Sequence, residues 1–302
     1  MTKPKASLRS LAPPIALVAS EQMIHNDPYL IAHTAQEFWA LAREPGGPGG
    51  DGALPRDIRI AITLALPLEV YPVATLRVGH VLDWTRRAGI IHRLRGRDRR
   101  LHGCLLAHHG KGTIFVDACD ADQEQRFTLA HELAHFLLDY QLPRQLALDA
   151  LGPAILPILD GERAPSIEQR LHAVMSGVHL GTLSHVMERP ENGLPTNLVL
   201  DIENRADRLA LELLAPAEAL LALMGRREAP RGYEARLAYL AQALSQEYGL
   251  PAAVAAPYAR YILAQMGEPT FRDWLSLSNV AGNEDEQDST NTHQSVQQSE
   301  TM

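Results

Sequence analysis

The apolar residues of the first hundred positions recur mostly every three to four residues, which is typical of helices. Asp27 and Pro28 suit the cap and the first position of a helix. The apolar residues that follow are Ile31, Ala35, Phe38, Trp39 and Leu41. A Gly- and Pro-rich loop is predicted at 44–55, followed by a second helical region over about 56–87. Residues 1–95 are therefore predicted to form an N-terminal helical region.

The pattern changes to that of a β-hairpin after residue 100. Two β-compatible apolar runs, 101–107 and 113–116, flank a turn sequence at 109–112. A long helix is then predicted to begin near Asp122, which with Gln125 resembles a capping box, and to continue to about Tyr140.

The second half of the chain is predicted to be helical with interruptions. Residues 141–200 contain helix-like pieces broken by six prolines: Pro143, Pro153, Pro157, Pro165, Pro190 and Pro195. One amphipathic helix is expected over 202–214, and two more over 233–247 and 251–266, with a helix-turn-helix outline that simple helical packing explains equally well. The last stretch, 276–302, lacks apolar periodicity and is predicted to be a disordered acidic tail.

Composition narrows the class of protein. The chain has 302 residues, 46% of them hydrophobic and 21% charged, as in ordinary soluble proteins. Its net charge of −8 argues against sequence-independent nucleic-acid binding by the whole molecule. No apolar stretch approaches the roughly 20 residues that span a bilayer. Two cysteines are too few for a disulfide framework, so a cytoplasmic protein without a membrane partner is expected.

The segment His131-Glu132-Leu133-Ala134-His135 carries the candidate chemistry. On a helix, two histidines four positions apart lie on one face and can bind one metal ion, while the glutamate beside them can act as a base. The alternative is two exposed histidines beside an acid. The apolar neighbours favour a metal, because a buried helix with unpaired polar groups is costly.

A catalytic zinc site needs a third protein ligand and an open position for water. The metzincin extension is absent, because Leu138 and Gln141 stand where glycine and histidine are required. Glu203 is the better candidate, and Asp207, one turn later, can orient a ligand imidazole. A solvated charged helix face explains these two residues equally well.

Two motifs together resemble the ImmA/IrrE family of metallo-endopeptidases. They are QRFTLAHELAHFLL and, from Glu203 to Pro216, E-x-x-A-D-x-L-A-x-E-L-L-A-P; the hairpin LHGCLLAHHGKGTIFVD is similar to the strand pair that precedes the family's catalytic helix. The resemblance implies a mostly helical α+β, zincin-like fold, with a small antiparallel sheet on the HExxH helix. The peptidase domain is then 96–222 with a helical insertion at 141–200, which lengthens the family's usual interval between the motifs, and 223–275 is a C-terminal helical region.

The same resemblance implies the function and the site. One Zn²⁺ per chain is expected on His131, His135 and Glu203, with Glu132 as the catalytic base and Asp207 behind a ligand. The expected partner is a protein substrate, a helix-turn-helix repressor whose cleavage switches on a stress programme. The chain is also similar to the branch found beside bacterial anti-phage (CBASS-type) operons. A general peptide-degrading enzyme is a further alternative.

Substrate and inhibitor positions follow from the predicted hairpin. The substrate is expected to pair with an exposed strand edge at 101–107 by β-addition. Cys104 on that strand is either a small buried residue or a thiolate that occupies the open zinc position until it is displaced; Cys119 is a weaker candidate. Oxyanion stabilisation is unassigned among four residues that are otherwise structural: Tyr140, His172, His179 and His185.

Seven arginines cluster before the hairpin: Arg86, Arg87, Arg93, Arg95, Arg97, Arg99 and Arg100. They form either a solvated surface or a phosphate-binding patch through which single-stranded DNA activates the protease. This patch also supports the alternative function, a nucleic-acid-responsive regulatory protein that retains the zinc fold as a scaffold. The complete HExxH motif favours the enzyme, because a scaffold has no need of Glu132.

Overall fold

A computed structural model describes residues 28–42, 54–92, 94, 97–188, 205–226 and 229–267. The elements in chain order are α1 (Pro28–Ala42), α2 (Ile58–Ala65), β1 (Leu68–Val73), α3 (Val78–Arg87), β2 (Leu101–His108), β3 (Lys111–Asp117), α4 (Asp122–His135), α5 (Leu142–Leu151), α6 (Leu156–Leu159), α7 (Ile167–Met175), β4 (Leu183–Glu188), α8 (Arg205–Leu214), α9 (Ala217–Met224), α10 (Tyr233–Gln246) and α11 (Ala252–Gln265). The predicted mostly helical α+β, zincin-like fold class is confirmed. Asp27, the predicted cap of α1, lies outside the described residues.

The four strands form one sheet in the order β1-β3-β2-β4. β2 runs antiparallel to both β3 and β4, whereas β1 pairs with β3 in parallel, so the sheet is mixed rather than wholly antiparallel. Two sequence predictions are corrected here. β1 lies within the region predicted as helical over 56–87, and β2 is an inner strand instead of an exposed edge.

The predicted hairpin is confirmed. β2 and β3 are joined by His109 and Gly110, whose φ angles are 51° and 74°. A two-residue turn with both φ angles positive matches the right-handed twist of the flanking strands. Glycine adopts this conformation without steric cost, so Gly110 suits the second turn position.

The helix with the HExxH motif begins at Asp122, as predicted, but its cap differs. Ala121 is the capping residue, and its backbone N–H lies 3.4 Å from the carboxylate of Glu124. Gln125 instead donates to the carbonyl of Asp120 at 2.8 Å. Beyond His135 the helix widens into a π-helical turn over Phe136–Gln141 and continues into α5.

Two apolar clusters cover the two faces of the sheet. The larger lies on the α4 side and includes Leu105 and Ile114 of the sheet with Leu209 of α8 and Ile262 of α11. The smaller lies on the α3 side and contains Leu76, Val78, Val81, Leu101, Cys104, Leu106 and Phe115. The helix α4 is thus held between the sheet and α8, and its residues 127–134 are all buried.

The segment predicted as a helical insertion also supplies a strand. Its described part, 141–188, contains α5, α6 and α7, with a separate small core of Ile155, Ile158 and Leu159. It then returns as β4 to pair with β2 in the main sheet. None of the helices in the described part of the chain has the length and apolar character to cross a membrane.

Gly103 on β2 is expected to be intolerant of any side chain. A Cβ at this position would lie 2.4 Å from Cγ2 of Thr128 and 3.4 Å from Cγ of Glu132. Gly103→Ala should therefore push β2 away from α4 and destabilise the fold by about 1–3 kcal/mol, the usual cost of overpacking. Denaturant unfolding measures this, with Gly225→Ala as the control, because a Cβ there makes only ordinary contacts. Equal unfolding midpoints for the two variants would contradict the close approach.

Candidate metal centre

His131 and His135 lie one turn apart on α4 with their Nε2 atoms facing each other. The two Nε2 atoms are 3.2 Å apart, and the ring centroids are 4.8 Å apart. His131 is buried, and the side chain of His135 is only 13% exposed. The structure therefore brings the two predicted ligands together in a nearly water-free place.

Each imidazole has a carboxylate behind it. Nδ1 of His135 lies 2.6 Å from Oδ2 of Asp139, whose other oxygen accepts a hydrogen bond of 2.6 Å from Arg205. Nδ1 of His131 lies 2.8 Å from Oδ1 of Asp207, although the ring is not turned to donate a linear hydrogen bond. Asp207 is the residue that the sequence predicted for this place. Asp139 was missed, and its position four residues after His135 was the available signal.

These contacts test whether the residues present suit a metal. A carboxylate beside Nδ1 favours the proton on that nitrogen, which leaves Nε2 as a bare acceptor. Two bare acceptors 3.2 Å apart repel each other unless a cation lies between them. Two nitrogens on one tetrahedral zinc at about 2.0–2.1 Å are about 3.4 Å apart. The donor set and its spacing fit a zinc-like ion.

Burial also keeps a ligand available. Desolvation lowers the pKa of His135 from its ordinary value and outweighs the hydrogen bond to Asp139, which acts in the opposite direction. The neutral imidazole, which is the form that binds metals, therefore persists to lower pH than in an exposed histidine.

Glu132 is completely buried beside the two imidazoles. Its Oε2 accepts a hydrogen bond of 2.9 Å from Nδ1 of His185, and its Oε1 has no hydrogen-bond partner among the described residues. Burial is the largest influence on the pKa of Glu132 and raises it. The hydrogen bond from His185 and the charges of the neighbouring imidazoles together outweigh burial and hold the pKa below its usual value. A lowered pKa favours the ionised carboxylate, which is the form that a base requires.

His185 on β4 is the third imidazole of the cluster. Potential ligand atoms of His131, His135 and His185 all lie within 4.8 Å of one another. The His185 ring stacks on His135 with centroids 3.6 Å apart and an angle of 22° between the planes. An ion in the plane of one ring lies well off the plane of the other, so this orientation suits contact with Glu132 better than metal ligation. His185 was one of four oxyanion candidates, but its contact with the base was not predictable, because β4 reaches the site only through pairing with β2.

The remaining predicted site residues are not all gathered here. Glu203 lies outside the described residues, and its role as a ligand stays a prediction. Cys104 is buried in the α3-side cluster, on the opposite face of the sheet from α4, so the structure does not bring its thiol to the imidazoles. Burial raises the pKa of that thiol well above its ordinary value. Cys119 is exposed, with its Sγ 3.8 Å from Oγ1 of Thr75.

The other oxyanion candidates have different surroundings. Tyr140 accepts a hydrogen bond of 2.7 Å from the N–H of Gly110 and so connects the π-helical turn to the hairpin. His172 is exposed on α7, and Nε2 of His179 lies 2.9 Å from the carbonyl of Thr182. Of these four residues, only His185 contacts Glu132, the predicted base.

The described part of the arginine cluster is a surface with internal ion pairs. Arg86 pairs with Asp83 at 2.6 Å, and Arg99 pairs with Glu188 of β4. Arg87, Arg97 and Arg100 are exposed. Arg93 and Arg95 lie outside the described residues. A nucleic-acid role for this surface stays a prediction.

Comparison with known proteins agrees with the motif. Residues 92–153 match the peptidase family M78 model, described as the IrrE N-terminal-like domain. No curated protein and no solved structure gives a significant match. The matched segment covers the hairpin and the HExxH helix and supports a metallopeptidase of the ImmA/IrrE type. The resemblance is thereby confirmed at the level of the family, whereas its anti-phage branch stays a prediction.

Proposed function

We propose that this metallopeptidase of the ImmA/IrrE type is a zinc-dependent endopeptidase that cleaves one specific protein inside the cell. The observation that supports it best is the facing pair of Nε2 atoms with the buried carboxylate of Glu132 beside them. A purely structural ion needs no such base, because structural zinc sites are closed to water.

Zinc is the proposed ion, one per chain. Imidazole ligands backed by carboxylates suit zinc, and Glu203 is the proposed third ligand. Arg205 supports this assignment indirectly. It begins α8 and hydrogen-bonds Asp139, so the first residue of α8, two positions after Glu203, lies beside the carboxylate that contacts His135.

The proposed mechanism assigns each step to a side chain. Bound zinc supplies Lewis acidity that makes water a nucleophile near neutral pH. Glu132 removes a proton from that water during attack on the scissile carbonyl and returns it to the leaving amine. Asp139 holds His135 in the tautomer that binds metal, and the charge of Asp207, 2.8 Å from Nδ1 of His131, favours the same tautomer there.

The proposed substrate is a helix-turn-helix repressor, whose cleavage releases a stress or anti-phage response. The family resemblance supports this choice. The exposed arginines Arg86, Arg87, Arg97 and Arg100 support single-stranded DNA as an activator, because exposed cations bind the phosphate backbone.

The decisive experiment is incubation with a candidate helix-turn-helix repressor from the same source. The zinc-loaded protein is incubated with the purified repressor, with and without single-stranded DNA, and the products are identified by mass spectrometry. One cleavage site is expected, with faster cleavage when DNA is present. Unfolded casein is the second substrate. Equal digestion of casein would indicate a general peptide-degrading enzyme, and DNA binding without any cleavage would favour the scaffold alternative.

A further inference from the structure

Strand β4 occupies the place where an extended substrate is expected. An extended substrate is expected to pair by β-addition with a strand edge beside the site, because an exposed edge offers unpaired backbone groups. In this chain that edge belongs to β2, and β4 pairs with it antiparallel, from Leu101 opposite Glu188 to Ala107 opposite Leu183. The backbone groups of β2 that would hold a peptide are already satisfied by the chain itself.

The side chains of β4 alternate between the two faces of the sheet, and one of them reaches the site. His185 points toward α4, where it stacks on His135 and donates to Glu132. Leu183 and Met187 pack against the α4-side cluster, and Val186 packs against the α3-side cluster. A strand placed in this way lies along β2 as an added peptide would, and it puts one side chain against the proposed base.

The base is inaccessible in this arrangement. Glu132 is 0% exposed, and the oxygen that meets His185 is the one with a partner. A base must contact the water that attacks the scissile carbonyl, and solvent does not reach a carboxylate that is fully buried, so the resting arrangement must open before cleavage.

Polar contacts away from the catalytic residues attach β4 to its neighbours. Oγ1 of Thr182 lies 3.0 Å from Nδ1 of His108, and Oγ of Ser184 lies 2.8 Å from Nε2 of His92. Glu188 pairs with Arg99 at the far end of the strand. Two of these contacts are part-buried hydrogen bonds, each of which contributes modestly to stability, so they add to the backbone pairing with β2 and can be removed singly by substitution.

We propose that β4 is an internal substrate mimic that keeps the peptidase in a resting state, and that release of β4 from the β2 edge opens the site. This proposal rests on the proposed peptidase function. It concerns the regulation of that site, and it assigns the insertion a role as an inhibitory strap.

A disulfide lock tests the proposal on the full-length, zinc-loaded chain. Val186 lies opposite the native Cys104 on the face of the sheet away from α4, so Val186→Cys offers a cross-strand pair that touches no catalytic residue. The probe is a dipeptide hydroxamate, which binds an accessible metal, and its affinity is measured by calorimetry. The oxidised variant is expected to bind it at least about tenfold more weakly than the reduced variant, because apparent affinity scales with the open fraction. The control is Cys104→Ala/Val186→Cys, in which reductant should change nothing.

A release variant tests the same point in the opposite direction. Thr182→Val/Ser184→Ala removes two attachments of β4 and should tighten hydroxamate binding up to about tenfold relative to wild type, with faster hydrogen exchange in β4. If Cys104 and the cysteine introduced by Val186→Cys do not form a disulfide, Thr182→Val/Ser184→Ala decides alone. Hydroxamate affinity and hydrogen exchange in β4 that both equal those of the wild type overturn the proposal. Equal affinity of the oxidised and reduced lock also overturns it. Hydroxamate binding that survives zinc removal would contradict the metal site itself, which separates the two failures.

Discussion

Glu132→Gln is expected to lower the rate of repressor cleavage by about 10²- to 10⁴-fold, the usual contribution of a general base. Glutamine has nearly the same shape and its carbonyl oxygen can still accept the hydrogen bond from His185, but it cannot take a proton from water. The loss should therefore appear in kcat, with little change in zinc content. Single-turnover cleavage and metal analysis of the same sample measure both quantities.

The matched control is Glu218→Gln, which removes a carboxylate from an exposed position on α9. Its cleavage rate should equal that of the wild type. Full activity of Glu132→Gln, with zinc still bound, would remove the base from the mechanism and leave the metal site without a catalytic role.

The local part of the site was predictable because its geometry is helical. His131, Glu132 and His135 depend only on the spacing of one helix, and the apolar residues around them predict its burial. The hairpin was predictable for a similar reason, because two apolar runs flank a turn with a glycine at the second turn position. Residues close together in the sequence are therefore enough to predict the HExxH helix and the hairpin.

The errors arose where long-range pairing decides the structure. β1 lies between two helices, and its six residues, Leu-Glu-Val-Tyr-Pro-Val, become a strand because they pair with β3. β4 joins β2 from about 80 positions away in the sequence. Strand propensity is weak compared with such tertiary pairing, so the sequence could not place either strand.

β4 changes the meaning of two earlier assignments. With β2 inside the sheet, the edge for β-addition is not free, and Cys104 faces away from the metal ligands. His185 lies against Glu132 in this arrangement, so the proposed inhibition from within the chain acts on the base and not on the open metal position suggested for Cys104. Because His185 contacts Glu132 and no thiolate takes part, the proposed inhibition by β4 needs no redox change.

His135→Ala is expected to abolish stoichiometric zinc binding. Changes to residues behind a ligand already cost about 10- to 100-fold in affinity, and loss of a ligand should exceed the upper end of that range. The carboxylate of Asp139 then loses its imidazole, but it retains the hydrogen bond from Arg205, so the helix should still fold. Competition with a chromophoric chelator measures the affinity, and circular dichroism checks the helix content.

His172→Ala is the matched control, because His172 is exposed on α7 and touches neither ligand. It should bind one zinc ion per chain with wild-type affinity.

Glu203→Gln is expected to weaken zinc binding by an amount close to that of His135→Ala if its carboxylate completes the ligand set. His185→Ala is expected to lose less zinc affinity than His135→Ala and Glu203→Gln, because its ring faces Glu132 and is not a metal ligand. If His135→Ala retained tight stoichiometric zinc, the metal would have to lie elsewhere, and the facing Nε2 pair on α4 would no longer explain the chemistry of this chain.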